Sequence, residues 1–179
     1  MDGQYCDLMS MTCMLTSRGY FAQNSVRSSC KEGYTTAEEG ARTIGDCTGY
    51  CTAMGTSGIF RVSDFATSVT STMTDECRSN IQSINFTESS SLKLIAKGAF
   101  EKTMIESLSL PISLLSIEPY AFGGCENLTD VKFRCGTKVI VSERAFEGSG
   151  KNRILNIEAP SYLQSKLPTG DMNIQYHEI

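Results

Sequence analysis

The stretch LLSIEPYAFGGCENLTDVKF, residues 114–133, decides the fold because two of its patterns recur along the chain. The first pattern is an aliphatic residue followed four positions later by Ala-Phe, and its copies begin at Ile95, Ile117 and Val141. The second recurs in step with it, as Ile84-x-Phe86, Leu108-x-Leu110, Val131-x-Phe133 and Leu155-x-Ile157. Two ladders that share a period of about 23 residues indicate a solenoid, in which each coil adds a short strand to a shared sheet.

The same residues resemble the BspA-type leucine-rich repeats, whose unit reads roughly I-x-x-x-A-F-x-x-C-x-x-L-x-x-V-x-I/L-P. The middle copy fits this unit at Ile117, Ala121, Phe122, Cys125, Leu128, Val131 and Phe133. The copy before it has Thr103 at the cysteine position, and the copy after it has Ser149 there and Asn152 at the leucine position. The resemblance covers residues 81–179, including a tail similar to the end of such arrays, where a Pro-led short helix precedes one last strand. It implies adhesion and surface recognition without a shared catalytic site.

The predicted fold is an α/β-type solenoid, a short leucine-rich-repeat array that is mainly β with short turns and helices. A small cysteine-rich, disulfide-stabilised region precedes it. We expect three segments: a cysteine-rich region at 1–57, a linker with a capping helix at 58–80, and the solenoid with its C-terminal cap at 81–179. Phe100, Phe122 and Phe146 occupy the same phase of successive coils, which predicts a buried ladder of stacked rings.

Two helices are predicted before the solenoid. Thr36-x-x-Glu39 matches a capping box, and the helical spacing of Ala41, Ile44, Cys47 and Cys51 continues until Gly55. Over residues 63–79 the apolar positions are spaced by four, which favours an amphipathic helix that caps the first coil; they are Phe65, Val69, Met73 and Cys77. The alternative for this second segment is a loop rich in Ser and Thr.

Cysteines are concentrated where apolar periodicity is poor. Of the eight in the chain, six lie in the N-terminal part: Cys6, Cys13, Cys30, Cys47, Cys51 and Cys77. At least two disulfides among these six are favoured over reduced thiols, because a segment with little core of its own often relies on disulfides. Zinc is disfavoured because the chain has no C-x-x-C pair and only one histidine, His177. Residues 13–34 also resemble the cysteine-rich repeats of ephrin-receptor-like extracellular modules, through Gly19-x-Phe21 and Cys30-x-x-Gly33. Cys125, at the repeat's cysteine position, is expected to be an inward thiol.

Charge and hydropathy narrow the classes of partner and compartment. A net charge of −4 without a basic cluster argues against nucleic acid. No stretch is long and apolar enough to predict a membrane span. The start MDGQYCDLMSMTC lacks the pattern of a signal peptide, so we expect either an intracellular protein or a leader that precedes this numbering. Disulfides and two glycosylation sequons, at Asn85 and Asn127, favour an extracellular or cell-surface location.

The strand positions that alternate with the apolar ladder form the outer face of the predicted sheet, which is the usual binding face of solenoids. Its candidate binding residues are Ser107, Ser109, Asp130, Lys132 and Asn156, and the alternative is that they are ordinary solvated residues. No catalytic residue, cofactor or metal is predicted. The sequence favours a non-enzymatic recognition or adhesion module whose partner is a protein or glycan at a surface or matrix. A structural subunit of a filament or larger complex, including a self-assembling one, is the alternative.

Overall fold

A computed structural model describes residues 4–7, 12–16, 18–24, 26–31, 33–37, 39–151, 154–164, 167 and 174–178. The N-terminal part consists of three antiparallel strand pairs, β1 with β2, β3 with β4 and β5 with β6. Their bounds are Gln4–Asp7 (β1), Thr12–Leu15 (β2), Tyr20–Gln23 (β3), Val26–Ser29 (β4), Tyr34–Thr36 (β5) and Cys47–Gly49 (β6). A short helix, α1 (Tyr50–Met54), follows β6 directly.

Two disulfides stabilise this part, as the cysteine distribution predicted. Cys30–Cys47 joins the end of β4 to β6, and Cys51–Cys77 joins α1 to a residue 26 positions later in the chain. Cys6 and Cys13 lie opposite each other in the backbone register of β1 and β2, and their side chains lie outside the described residues. The bridges compensate for a small core, because a cross-link removes conformational freedom from the unfolded chain.

The helix predicted from the Thr36-x-x-Glu39 pattern is wrong for most of its length. Thr36 ends strand β5, residues Ile44–Asp46 form a 3₁₀ turn, and only α1 is helical before Gly55 ends it. The Asp46 carboxylate accepts hydrogen bonds from the backbone N–H groups of Arg42 (2.7 Å) and Thr43 (2.9 Å), so the capping interaction occurs at the 3₁₀ turn. The glycines within the segment weaken a helix by about 1 kcal/mol each, which allows β5 and β6 to pair instead.

From Ile59 onward the chain winds as a solenoid with two columns of parallel strands. The first column contains β7 (Ile59–Arg61), β9 (Ser83–Asn85), β11 (Ser107–Ser109), β13 (Asp130–Lys132), β15 (Leu155–Glu158) and β16 (Ile174–His177). The second contains β8 (Ser68–Val69), β10 (Leu94–Ile95), β12 (Ser116–Ile117) and β14 (Ile140–Val141). The tail forms helix α2 (Ser161–Gln164) after Pro160 and then β16, in agreement with its resemblance to the end of such arrays.

The capping helix predicted over residues 63–79 is wrong, and the solenoid begins earlier than residue 81. Val69 of β8 pairs in parallel with Ile95 of β10, so this segment is itself a coil of the solenoid. Two short 3₁₀ turns, Ser71–Met73 and Arg78–Asn80, replace the helix. Three of the four apolar residues that suggested a helix, Val69, Met73 and Cys77, pack against the solenoid core. The fourth, Phe65, packs on the Tyr20 ring of β3 at 5.3 Å.

The core is a column of aromatic rings, as predicted. Phe100 stacks on Phe122 with ring centroids 5.6 Å apart, and Phe122 stacks on Phe146 at 5.3 Å. All three rings are fully buried. Phe60 of β7 extends the column by an edge contact with Phe100 at 5.4 Å. A ring at the same phase of each coil therefore links all the central coils through one apolar core.

A column of small polar side chains runs beside the rings at the cysteine position of the repeat. The Cys125 thiol donates to the Phe100 carbonyl (3.1 Å), and the Ser149 hydroxyl donates to the Phe122 carbonyl. The Thr103 hydroxyl donates to the carbonyl of Phe100 in its own coil (3.0 Å). Thr103 and Ser149 thus depart from the family pattern in identity while keeping a buried hydrogen-bond donor at this position.

The register of the last full coil differs from the predicted one by two residues. Val131 lies opposite Ile157 rather than Leu155, and Lys132 lies opposite Glu158. A shift of two residues leaves each side chain on the same side of the sheet, because side chains alternate with a period of two. Leu155 and Ile157 are therefore both buried. The outer position added by the shift is Glu158.

Candidate interaction surface

The outer side chains of β11, β13 and β15 form the surface that we call the strand face: Ser107, Ser109, Asp130, Lys132, Asn156 and Glu158. In β11 and β13 the burial pattern alternates, with the two flanking residues exposed and the central leucine or valine buried. These strands are hydrogen-bonded to one another along their length, so the face is a rigid array. The structure therefore brings together all five residues that the sequence singled out.

The two charged residues predicted for this face are both engaged with the next coil. The Lys132 ammonium lies 2.6 Å from the Glu158 carboxylate, and both side chains are exposed to solvent. The Asn156 amide donates to the Asp130 carboxylate (3.1 Å), which also accepts from the Thr129 hydroxyl (2.6 Å). Asp130, Lys132 and Glu158 give the face one net negative charge. Their carboxylate and ammonium groups can exchange these bonds for bonds to a polar partner.

Sequence reasoning missed Glu158 because the register of β15 is ambiguous, since three successive alternate residues of this segment are apolar. Leu155, Ile157 and Ala159 are all buried. Either Leu155 and Ile157 or Ile157 and Ala159 can fill the two apolar positions of the repeat. The first choice sets Asn156 opposite Lys132, two residues before Glu158. The signal that could have resolved it is charge pairing, since an acidic residue opposite Lys132 stabilises the sheet.

The first strand column is interrupted between β9 and β11, and a cavity of about 320 Å³ lies at the interruption. We call it the β9–β11 cleft; it is lined by residues 83–87 and 109–111 together with Ile59 and Arg134. Arg134 follows β13, and its guanidinium lies 3.8 Å from the Glu88 carboxylate. Sequence reasoning identified neither the interruption nor Arg134.

The two sequons differ in accessibility. Asn85 is exposed at the end of β9 and lines the β9–β11 cleft. Asn127 is half-buried at the corner before β13, where the backbone N–H of Thr129, the third residue of its sequon, donates to the Glu106 carbonyl (2.9 Å). The geometry thus makes Asn85 the more open acceptor for a glycan.

The two cysteines outside the N-terminal region differ in their surroundings. Cys125 is buried, and this burial raises the pKa of its thiol. It is therefore a packing and hydrogen-bonding group rather than a thiolate nucleophile. Cys135 is exposed. Within the described part of the chain, no three His, Cys, Asp or Glu side chains converge as a metal-binding group.

None of the helices in the described ranges has the length and apolar character needed to span a membrane. Comparison with curated proteins and with solved structures gave no match. Residues 60–166 match the BspA type leucine rich repeat region, in six copies. The match begins at Phe60 and includes the coil at β8, so it agrees with the strand pairing in placing the start of the solenoid before residue 81. Repeats of this family are generally protein-interaction modules. From the match and the two parallel strand columns we conclude that the chain belongs to the BspA-type leucine-rich-repeat family.

Proposed function

We propose that the chain is a non-enzymatic recognition or adhesion module of the cell exterior, which binds a protein or glycan partner through the strand face. The observation that supports this proposal is the rigid array of polar side chains, exposed on β11 and β13 and half-exposed on β15, positioned by three hydrogen-bonded coils. A solenoid holds such side chains at fixed spacing, which reduces the ordering that binding would otherwise require.

The covalent chemistry of the N-terminal region supports an extracellular location. Disulfides persist in oxidising compartments, and the described residues contain Cys30–Cys47 and Cys51–Cys77. Glycosylation at Asn85 and Asn127 is part of the same proposal. If the protein is secreted through a glycosylating pathway, Asn85 should carry the larger share of the glycan, because it is exposed whereas Asn127 is half-buried. Comparing the glycosidase-induced mass shift of N85Q and N127Q measures this share.

The affinity for a panel of matrix proteins and glycans tests the role of the strand face. The double variant D130A/K132A removes one charge of each sign from the face without touching the core. We expect it to weaken binding about tenfold, because it removes two charged hydrogen-bonding groups. The matched control is E126A/K151A, which removes an exposed ion pair (3.6 Å) on the turns before β13 and β15. Equal affinities of the two double variants would contradict this role.

A structural subunit is the second candidate, and exposed apolar side chains favour it. Ile112, Leu115 and Ile140 are each at least half exposed, with Ile140 at 73%. They belong to adjacent coils, since the Leu115 carbonyl accepts from the Ile140 N–H (2.8 Å) and Ile112 follows β11. Exposed apolar groups of neighbouring coils are typical of assembly surfaces. Sedimentation of the wild-type chain and of I140K distinguishes the candidates: self-association that I140K abolishes supports the subunit, and a monomer in both supports recognition.

A further inference from the structure

The β9–β11 cleft lies where the hydrogen-bond ladder of the first column is broken. At the C-terminal end of the other strand pairs one bond recurs: Val62 N–H to Asn85 (3.0 Å), Leu110 N–H to Lys132 (2.9 Å) and Phe133 N–H to Glu158 (2.8 Å). The equivalent bond from Phe86 N–H to Ser109 is missing, although every residue of both strands is described. The coils are still in contact upstream, where Met104 N–H donates to Ile81 (2.8 Å). The bond from Ser107 N–H to Gln82 at the N-terminal end is missing as well, so β9 and β11 are unpaired along their length.

The corner that follows β9 is bonded to the preceding coil. The Asp64 carboxylate accepts hydrogen bonds from the hydroxyls of Thr87 and Ser89, the latter at 3.0 Å. The Asp64 carbonyl also accepts from Ser91 N–H (2.7 Å). These three bonds fix the corner on one side of the opening to the preceding coil.

Unmatched backbone groups face each other across the opening. Ser83 N–H donates to Gly58 (3.1 Å) and the Asn85 carbonyl accepts from Val62, so both residues bond toward β7. Because successive strand residues direct their polar groups to opposite edges, Ile84 and Phe86 direct theirs toward β11. Leu110 bonds toward β13, so Ser109 directs its N–H and carbonyl toward β9 by the same alternation. Open strand edges of this kind are templates for an added peptide segment.

The side chains of the cleft add a cation and an apolar wall. The Arg134 side chain is 42% exposed, and its contact with Glu88 is loose because the Glu88 side chain is 91% exposed. Such an ion pair is weak and is readily replaced by a ligand carboxylate, for which guanidinium is well suited. Leu110 and Pro111 are buried and Ile84 and Phe86 are half-buried, so much of the wall is apolar. At about 320 Å³ the cavity is at the small end of ligand sites.

From this combination we infer that the β9–β11 cleft binds the carboxyl-terminal end of a partner peptide whose last residue is apolar. The terminal carboxylate replaces Glu88 at Arg134 and accepts from Phe86 N–H, the peptide N–H donates to the Ser109 carbonyl, and the last side chain packs on the apolar wall. The inference deepens the proposed function and rests on it, since the cleft opens beside the strand face. A glycan on Asn85 would occupy the same opening, so the glycan and the peptide exclude each other.

The test uses the disulfide-intact full chain made without N-glycans. The probe is a pool of fluorescein-labelled hexapeptides ending in Leu, Ile, Val or Phe, prepared once with a free carboxyl terminus and once amidated. Fluorescence anisotropy should show that the acid pool binds about tenfold more tightly than the amide pool, because a charged hydrogen bond is lost in the amide. Equal affinity of acid and amide, or no acid binding up to about 1 mM, would overturn the inference.

Three variants locate the binding. R134Q should weaken the acid pool about tenfold and leave the amide pool unchanged, since only the acid has a charge to lose. E88Q removes the competing carboxylate and should strengthen acid binding about threefold. K138Q removes an exposed cation that is not part of the cleft and should have no effect. Acid binding that R134Q and K138Q reduce equally would reflect general charge attraction and would contradict the assignment.

Failure of this inference can be told from failure of the proposed function. If the peptides do not bind but D130A/K132A still weakens binding of a matrix protein or glycan, the strand face is the recognition surface and the cleft is not. If the peptides bind through Arg134 while D130A/K132A has no effect on any partner, recognition belongs to the cleft alone.

Discussion

Replacing Phe122 with alanine tests the solenoid core at its centre. Phe122 is fully buried and is stacked between two rings, Phe100 at 5.6 Å and Phe146 at 5.3 Å. Truncating a buried phenylalanine costs about 3–5 kcal/mol through lost burial and the remaining cavity. We expect F122A near the upper end of this range, because two stacked pairs, each worth about 1 kcal/mol, are lost together.

Equilibrium unfolding in urea under non-reducing conditions measures the loss, and the melting temperature should fall by about 10 °C or more. F146A is the matched control within the column, since among the described rings Phe146 stacks only on Phe122. It should be less destabilising than F122A by about 1 kcal/mol. K132A breaks only an exposed ion pair, so its effect should stay below about 1 kcal/mol. Equal losses for F122A and K132A would refute the reasoning.

The remaining predictions concern the cysteines. The double variant C51S/C77S should lose about 3.5 kcal/mol of unfolding free energy, because the bridge closes a loop of 26 residues and ties α1 to the first coils; a loss under about 1 kcal/mol in denaturant titration would contradict this value. In the folded protein iodoacetamide should label the exposed Cys135 and leave Cys125 unlabelled even at pH 8.5, about the ordinary thiol pKa, because burial raises the pKa of Cys125. Peptide mapping after the reaction measures the labelling of both cysteines. Labelling of Cys125 at the same rate as Cys135 would contradict the prediction, because the reagent would then reach Cys125 freely.

The repeat could be predicted from the sequence wherever its large residues are present. Phe100, Phe122 and Phe146 mark one phase of the coil, and a ring repeated at one phase must meet its neighbours in a packed column. The coil at β8 was missed because Met73 and Thr74 occupy the positions of the Ala-Phe pair. Without the ring, the inward residues of that coil have the spacing of a helix, and only pairing with β10 reveals the strand.

The sequence predicts which side chains of each strand are exposed, but it does not identify every residue of the strand face. Alternation assigns each strand residue to a face, which is why Asp130 and Lys132 are exposed as expected. Alternation does not assign register, so Glu158 was missed. The β9–β11 cleft is bordered by a corner in which Thr87 and Ser89 bond to Asp64, one full coil earlier in the chain. A local sequence pattern does not reveal side-chain contacts between residues 23 and 25 positions apart.

Lysine footprinting of the unmodified chain, free and bound to its partner, tests most directly the claim that the strand face is the recognition surface. Acetylation followed by mass spectrometry compares Lys132, on the strand face, with Lys97, which is exposed on the corner after β10. Binding through the strand face should protect Lys132 and leave the labelling of Lys97 unchanged. Protection of Lys97 with unchanged labelling of Lys132 would contradict the claim and move the recognition surface to the other strand column.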